Sequence, residues 1–111
     1  MDDRELLEMA AKAAGYWSGE FGCVDNLPHP GWNPLIDDGD ALRLAVKLHI
    51  DLRFHWDGCD DQYDEVEAYT HGAGKDAREQ IGFYERDGQL DEFAATRRAI
   101  VRAAAAIGRA M

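Results

Sequence analysis

Residues 90–111, "LDEFAATRRAIVRAAAAIGRAM", constrain the chain most. Phe93, Arg97, Ile100, Val101, Ala104 and Ile107 make a stripe at helical spacing over about five turns, opened by Asp91 and Glu92 and closed by Arg109 in the order a helix dipole favours. Alanine-rich helices of this kind form readily and let a neighbouring sheet approach closely. In 111 residues only one core of ordinary size can be built, so the rest of the chain must supply the surface on which this helix lies.

The first candidate for that surface is "IDLRFHW", residues 50–56, where Ile50, Leu52, Phe54 and Trp56 alternate with Asp51, Arg53 and His55. Strict alternation predicts a strand buried on one side. Asp57 and Gly58 mark a turn, and "YDEVEAYTH", residues 63–71, reads as a returning strand whose less polar members are Tyr63, Val66, Ala68 and Tyr69. Residues 72–88 are compatible with a short helix at Lys75–Gln80 and a short strand around Ile81–Tyr84.

Two further helices precede the strands. Residues 3–14, "DRELLEMAAKAA", set Leu6, Leu7, Met9, Ala10, Ala13 and Ala14 against Glu5, Glu8 and Lys12, with Asp2 and Glu5 at capping-box spacing and Gly15 as a stop. In "WNPLIDDGDALRLAVKL", residues 32–48, Asp37 or Asp38 can cap the first turn of a helix of about three turns. Leu42, Ala45, Val46 and His49 form its expected apolar face, with Leu44 and Leu48 alongside and His49 buried or at the boundary. Between the two helices, residues 15–32 hold glycines, prolines and the aromatics Tyr16, Trp17, Phe21 and Trp32, which fits a loop capping the core with a short strand near Tyr16–Val24. The order predicts one small α+β domain over residues 1–111, an antiparallel sheet layered with helices in an α/β/α sandwich-like arrangement.

Charge narrows the functional classes. Acids outnumber bases 22 to 12, a net charge of -10, which disfavours attraction to nucleic-acid phosphates or anionic lipid and favours a basic partner. The acids concentrate in Asp57, Asp60, Asp61, Asp64, Glu65 and Glu67, a stretch without Lys or Arg, flanked by Trp56, Tyr63 and Tyr69. Acids interleaved with aromatics can engage a basic protein surface, so Trp56, Asp57, Asp60, Asp61, Tyr63, Asp64, Glu65 and Glu67 are the candidate partner-binding residues. The competing reading is a solvated face that keeps the protein soluble. An acidic opening without a basic segment and an apolar run, and no apolar stretch of about 20 residues, predict an intracellular protein without a membrane span. In that compartment Cys23 and Cys59 read as two free thiols.

Recognisable chemistry is absent from the spacing. "DDGD" and "DGCDDQYDEVE" lack the alternating ligands of a calcium loop, and helix capping accounts for the first of them. His29, His49, His55 and His71 with Cys23 and Cys59 show no zinc spacing. "GAGK" fails as a phosphate loop, because Tyr69 stands where its first glycine belongs and Asp76 follows Lys75. Ser18, the chain's one serine, has no placed base, and Cys59 lies among carboxylates that raise a thiol's pKa. Asp60 and Asp64 as an acid–base pair compete with a plain solvated loop. No catalytic residue, metal or cofactor is expected.

"WNPLIDDGDALRLAVKL" and "AATRRAIVRAAAAIGRAM" resemble the signature ends of a family of small proteins from tailed phages and prophages of Gram-negative bacteria, the phage ABA-sandwich type. The resemblance covers Arg4 to Gly15, Trp32 to about Phe54, and Ala94 to Met111. It implies an α/β/α layering, a phage origin and the host cytoplasm, and it carries no catalytic residues. Residues 57–89 and the aromatic loop depart from it, which directs attention to them for any activity particular to this chain. Two classes of function follow. One is an acidic phage accessory protein that occupies a basic channel or subunit of a host nucleic-acid-targeting defence complex, in the manner of an anti-CRISPR protein. The other is an interaction or regulatory module of the phage programme with no defence target.

Overall fold

The structure is a computed structural model that describes residues 2–18, 23–55, 65–70, 78–82 and 92–111. Helix α1 spans Asp3–Ala13, strands β1 and β2 are Trp17–Ser18 and Cys23–Val24, and helix α2 is Asp38–Leu48. Strands β3, β4 and β5 are Ile50–His55, Glu65–Thr70 and Arg78–Gly82, and helix α3 is Glu92–Arg109. This is the expected α+β class.

The helix ends follow their sequence signals. Asp2 caps α1 by accepting the Glu5 N–H at 2.8 Å, and Gly15 takes φ +87°, a value that suits a residue without Cβ. Asp37 caps α2 by accepting the Asp40 N–H at 2.8 Å. His49 ends α2 at φ 55° and is exposed, where the sequence suggests a buried or boundary position, because a single left-handed residue turns the chain straight into β3. The expected short strand in the aromatic loop is an antiparallel pair, with Trp17 opposite Val24 and Ser18 opposite Cys23.

β4 is the central strand of an antiparallel sheet of order β3-β4-β5. The Ile50–Thr70, Leu52–Ala68 and Phe54–Val66 pairs lie on one face, while Asp51–Tyr69 and Arg53–Glu67 lie on the other. At 78–80, where the spacing allows a helix, the chain is strand: Gln80 and Ile81 pair with Glu67 and Val66. Pairing with a buried central strand overrides local helix preference there. The expectations for Trp56, the Asp57–Gly58 turn, Tyr63 and Asp64, His71, 75–77 and 83–84 lie outside the described residues.

α3 is the central element. It packs against the sheet on one side and α1 on another, with α2 against it as well. Ala95, Ala99, Ile100, Val101, Ala103, Ala104 and Ala105 are all buried, a wider face than the predicted stripe, whose first member, Phe93, is exposed. Small side chains permit this close double packing. A Cβ on Gly108 would collide with the Met9 carbonyl of α1, so the contact between these helices requires glycine. Arg98 donates to Asp3 at 3.1 Å across the same junction. Tyr16 and Trp32 pack edge to face, with centroids 5.6 Å apart, on the rim of the core, as expected of the aromatic loop.

The buried face of α2 is the expected one only in part: Ala45, with Leu44 and Leu48 alongside, faces the core, and Leu42 and Val46 do not. Ala41, Leu44 and Ala45 are buried, whereas Leu42 and Val46 are 63% and 68% exposed. The helix is apolar on both sides, so periodicity alone does not choose between them. The tether to α3 does: Arg97 donates from Nε to the Leu35 carbonyl at 2.9 Å and from Nη1 to Asp38 at 2.6 Å.

Candidate protein-interaction surface

The acid cluster before α2 divides into three tasks. Asp37 caps the helix, Asp38 receives Arg97, and Asp40 turns inward. Asp40 is 1% exposed and accepts from His29 Nε2 at 2.7 Å, the Asn33 N–H at 3.0 Å and Arg43 at 3.4 Å. Burial pushes this carboxyl upward, but hydrogen bonds from His29 and Asn33, with the nearby positive charges, outweigh it and hold the pKa below the usual 3.8.

His29 meets a second acceptor on its other side, Pro30 O, 2.9 Å from Nδ1. A carbonyl and a carboxylate can only accept, so the site suits the protonated ring, which donates from both nitrogens. The Asp40 hydrogen bond, followed by that to Pro30, raises its pKa above 6.5. With both nitrogens engaged, the pair is a latch between the loop and α2, and it offers no free base. Sequence reading missed it because the partners are eleven residues apart and no spacing rule joins them.

An apolar groove is lined by Ala41 and Leu42 of α2, Leu52 of β3, and Phe93, Thr96 and Ile100 of α3, with the Asp38–Arg97 pair at its edge. Leu42, Phe93 and the neighbouring edge-strand residue Phe54 are each more than half exposed. Exposed apolar side chains gathered in this way make the groove a candidate interaction surface. The signal was present in the sequence as the second apolar side of α2, Leu42 and Val46 one turn apart.

The predicted acidic site is only partly within the described residues. Trp56, Asp57, Asp60, Asp61, Tyr63 and Asp64 lie outside them. Glu65 opens β4, in register with His55 and Gly82. Glu67 is 3% exposed, so it does not belong to an open acidic face; it sits between Arg53 of β3 and Gln80 of β5 in the ladder. Tyr69 is half-buried and holds Arg53, whose guanidinium lies 5.6 Å from the ring centre. Cys59 also lies outside the described residues. Among the described residues no three His, Cys, Asp or Glu side chains converge, and no helix is long and apolar enough to cross a membrane. A scan against family models and searches of curated proteins and solved structures found no match to this chain.

Proposed function

We propose that this is a small acidic phage accessory protein of the ABA-sandwich type, working in the host cytoplasm by binding and not by catalysis. Its partner is a basic surface of a host nucleic-acid-targeting defence complex, which it inhibits by taking the place of phosphates. One observation carries the reading: 12 Lys and Arg cannot neutralise 22 acids. The arginines at 4, 43, 97 and 98 are already engaged with Glu8, Asp40, Asp38 and Asp3 inside the chain. The surplus carboxylates leave the chain strongly negative, which supports attraction to a channel built to track phosphates.

Asp57, Asp60, Asp61, Asp64 and Glu65 are the residues through which this attraction acts, with Trp56 and Tyr63 supplying contact area; the buried Glu67 is withdrawn from the set. The test is capture of host proteins on tagged protein, washed at low and high salt and identified by mass spectrometry. A nucleic-acid-guided effector, held at low salt, released at high salt and lost when Asp60, Asp61 and Asp64 become Asn and Glu65 becomes Gln, supports the reading. Recovery of phage proteins alone, or of an effector indifferent to those changes, contradicts it and favours a regulatory module of the phage programme.

A further inference from the structure

Leu27–Pro30 is a stiff arm between two pivots. Pro28 and Pro30 fix their own φ and restrict Leu27 and His29 before them. On either side the backbone is left-handed, at Asn26 with φ 59° and at Gly31 with φ 80°, and a Cβ at Gly31 would stand in open space. Beyond the pivots the chain is tied down: the Asp25 N–H donates to the Tyr16 carbonyl, and the Asn33 N–H to Asp40 at 3.0 Å. Residues 25–31 are exposed, and a long backbone bond, from the Trp32 N–H to the His29 carbonyl at 3.3 Å, crosses the Gly31 pivot. The arm meets two other elements. His29 reaches Asp40 of α2 at 2.7 Å, and Leu27 walls a pocket whose other sides are Leu7 and Ala11 of α1, the Trp32 ring and the Arg4–Glu8 ion pair.

We infer that Leu27–Pro30 is a proton-operated strap: held on α2 while the His29 ring is protonated, it swings out about Asn26 and Gly31 when the ring loses a proton, and it carries Leu27 off the pocket. A neutral ring donates from one nitrogen only, so the lone pair of the other would face an oxygen, Asp40 Oδ1 at 2.7 Å or Pro30 O at 2.9 Å. On α2 the charged groups that act on the ring are Asp40, which favours its proton, and Arg43, which opposes it. Asp37 is turned to the Asp40 N–H and Asp25 to the Asn26 N–H, while Arg4 and Glu8 of α1 are paired with each other. When the ring leaves, Asp40 keeps the Asn33 N–H and Arg43, so its buried carboxylate is not orphaned and α2 stays in place. Leu27 is itself 38% exposed, so little apolar burial opposes the movement. The partners raise the ring's pKa, so the strap is closed below the folded-state value and opens as pH rises through it. The surface it uncovers, Leu7, Ala11 and the Trp32 ring, is apolar.

The strap stands apart from the proposed function and is tested on the purified chain without any host partner. An uncharged, soluble gadolinium chelate speeds the relaxation of protons it can approach, and its own charge does not vary with pH. In the wild type its effect on the Leu7 methyls and the carbon-bound protons of the Trp32 indole should rise with pH, with the same midpoint as the His29 Cε1 proton. In His29→Ala the effect should already be high in acid and its pH dependence lost. In Asp40→Asn, which removes the charge that favours the ring's proton, both midpoints should move together to lower pH. Circular dichroism of each variant confirms that it folds. A wild type whose Leu7 and Trp32 signals stay flat while His29 titrates, midpoints that differ between ring and pocket, or a His29→Ala protein that keeps the wild-type rise would each overturn the inference.

Discussion

His29 holds Asp40 at 2.7 Å from a loop eleven residues upstream, giving a buried carboxylate its charged partner at the surface. The pair sets a pH window. His29 has its pKa raised above 6.5, so its contribution to stability is full below that value and lost as pH rises through the folded-state pKa. Asp40 is shifted below 3.8, so its contribution is full above that value and lost as pH falls through its own folded-state pKa. Thermal melts should show greatest stability from this pair between those limits. His29→Ala should flatten the alkaline limb, and an NMR titration should move the Asn33 amide together with the His29 ring, since both donate to Asp40.

Gly108→Ala tests the contact between α1 and α3. The added methyl meets the Met9 carbonyl, which is backbone and cannot rotate aside, so the helices must separate. A loss of about 1–3 kcal/mol in urea unfolding is expected. An unchanged midpoint would show that the two helices do not pack this closely.

Leu42 and Leu44 differ by two positions and by most of their exposure. Leu44→Ala should cost about 2–5 kcal/mol, as for a buried leucine, while Leu42→Ala should leave stability within about 0.5 kcal/mol. The reverse order would restore the helix face that periodicity suggests.

Arg97→Lys keeps the charge and removes the fork that reaches Leu35 and Asp38 together. One amine cannot replace both contacts, so a loss of about 1 kcal/mol is expected. Hydrogen exchange should quicken at the start of α2, where Asp38 lies, and remain unchanged at the α1 contact that Arg98 supports.

Much of the fold was legible because local chemistry determines it. Asp2, Asp37 and Gly15 mark helix ends by the groups they present to the backbone, and Ile50–His55 declares a strand by alternation. The face of α2 was not legible, since Leu42 and Val46 match Leu44 and Ala45 in apolarity and tertiary tethers made the choice. Residues 78–82 are strand through their partner β4, which no local window contains. At the site, Glu67 looked like one more acid in a run, yet it is buried on the central strand between Arg53 and Gln80, neighbours that no local window joins. Asp40 looked like a cap, and only the return of the loop brings His29 to it.

The most direct test of binding to a defence complex is the plating efficiency of a phage targeted by a nucleic-acid-guided system, in host cells expressing this protein. Plating should rise with the wild type and return to the restricted level when Asp60, Asp61 and Asp64 are changed to Asn and Glu65 to Gln. Restriction unaltered by the wild type, or relieved equally by the neutralised variant, would contradict the account.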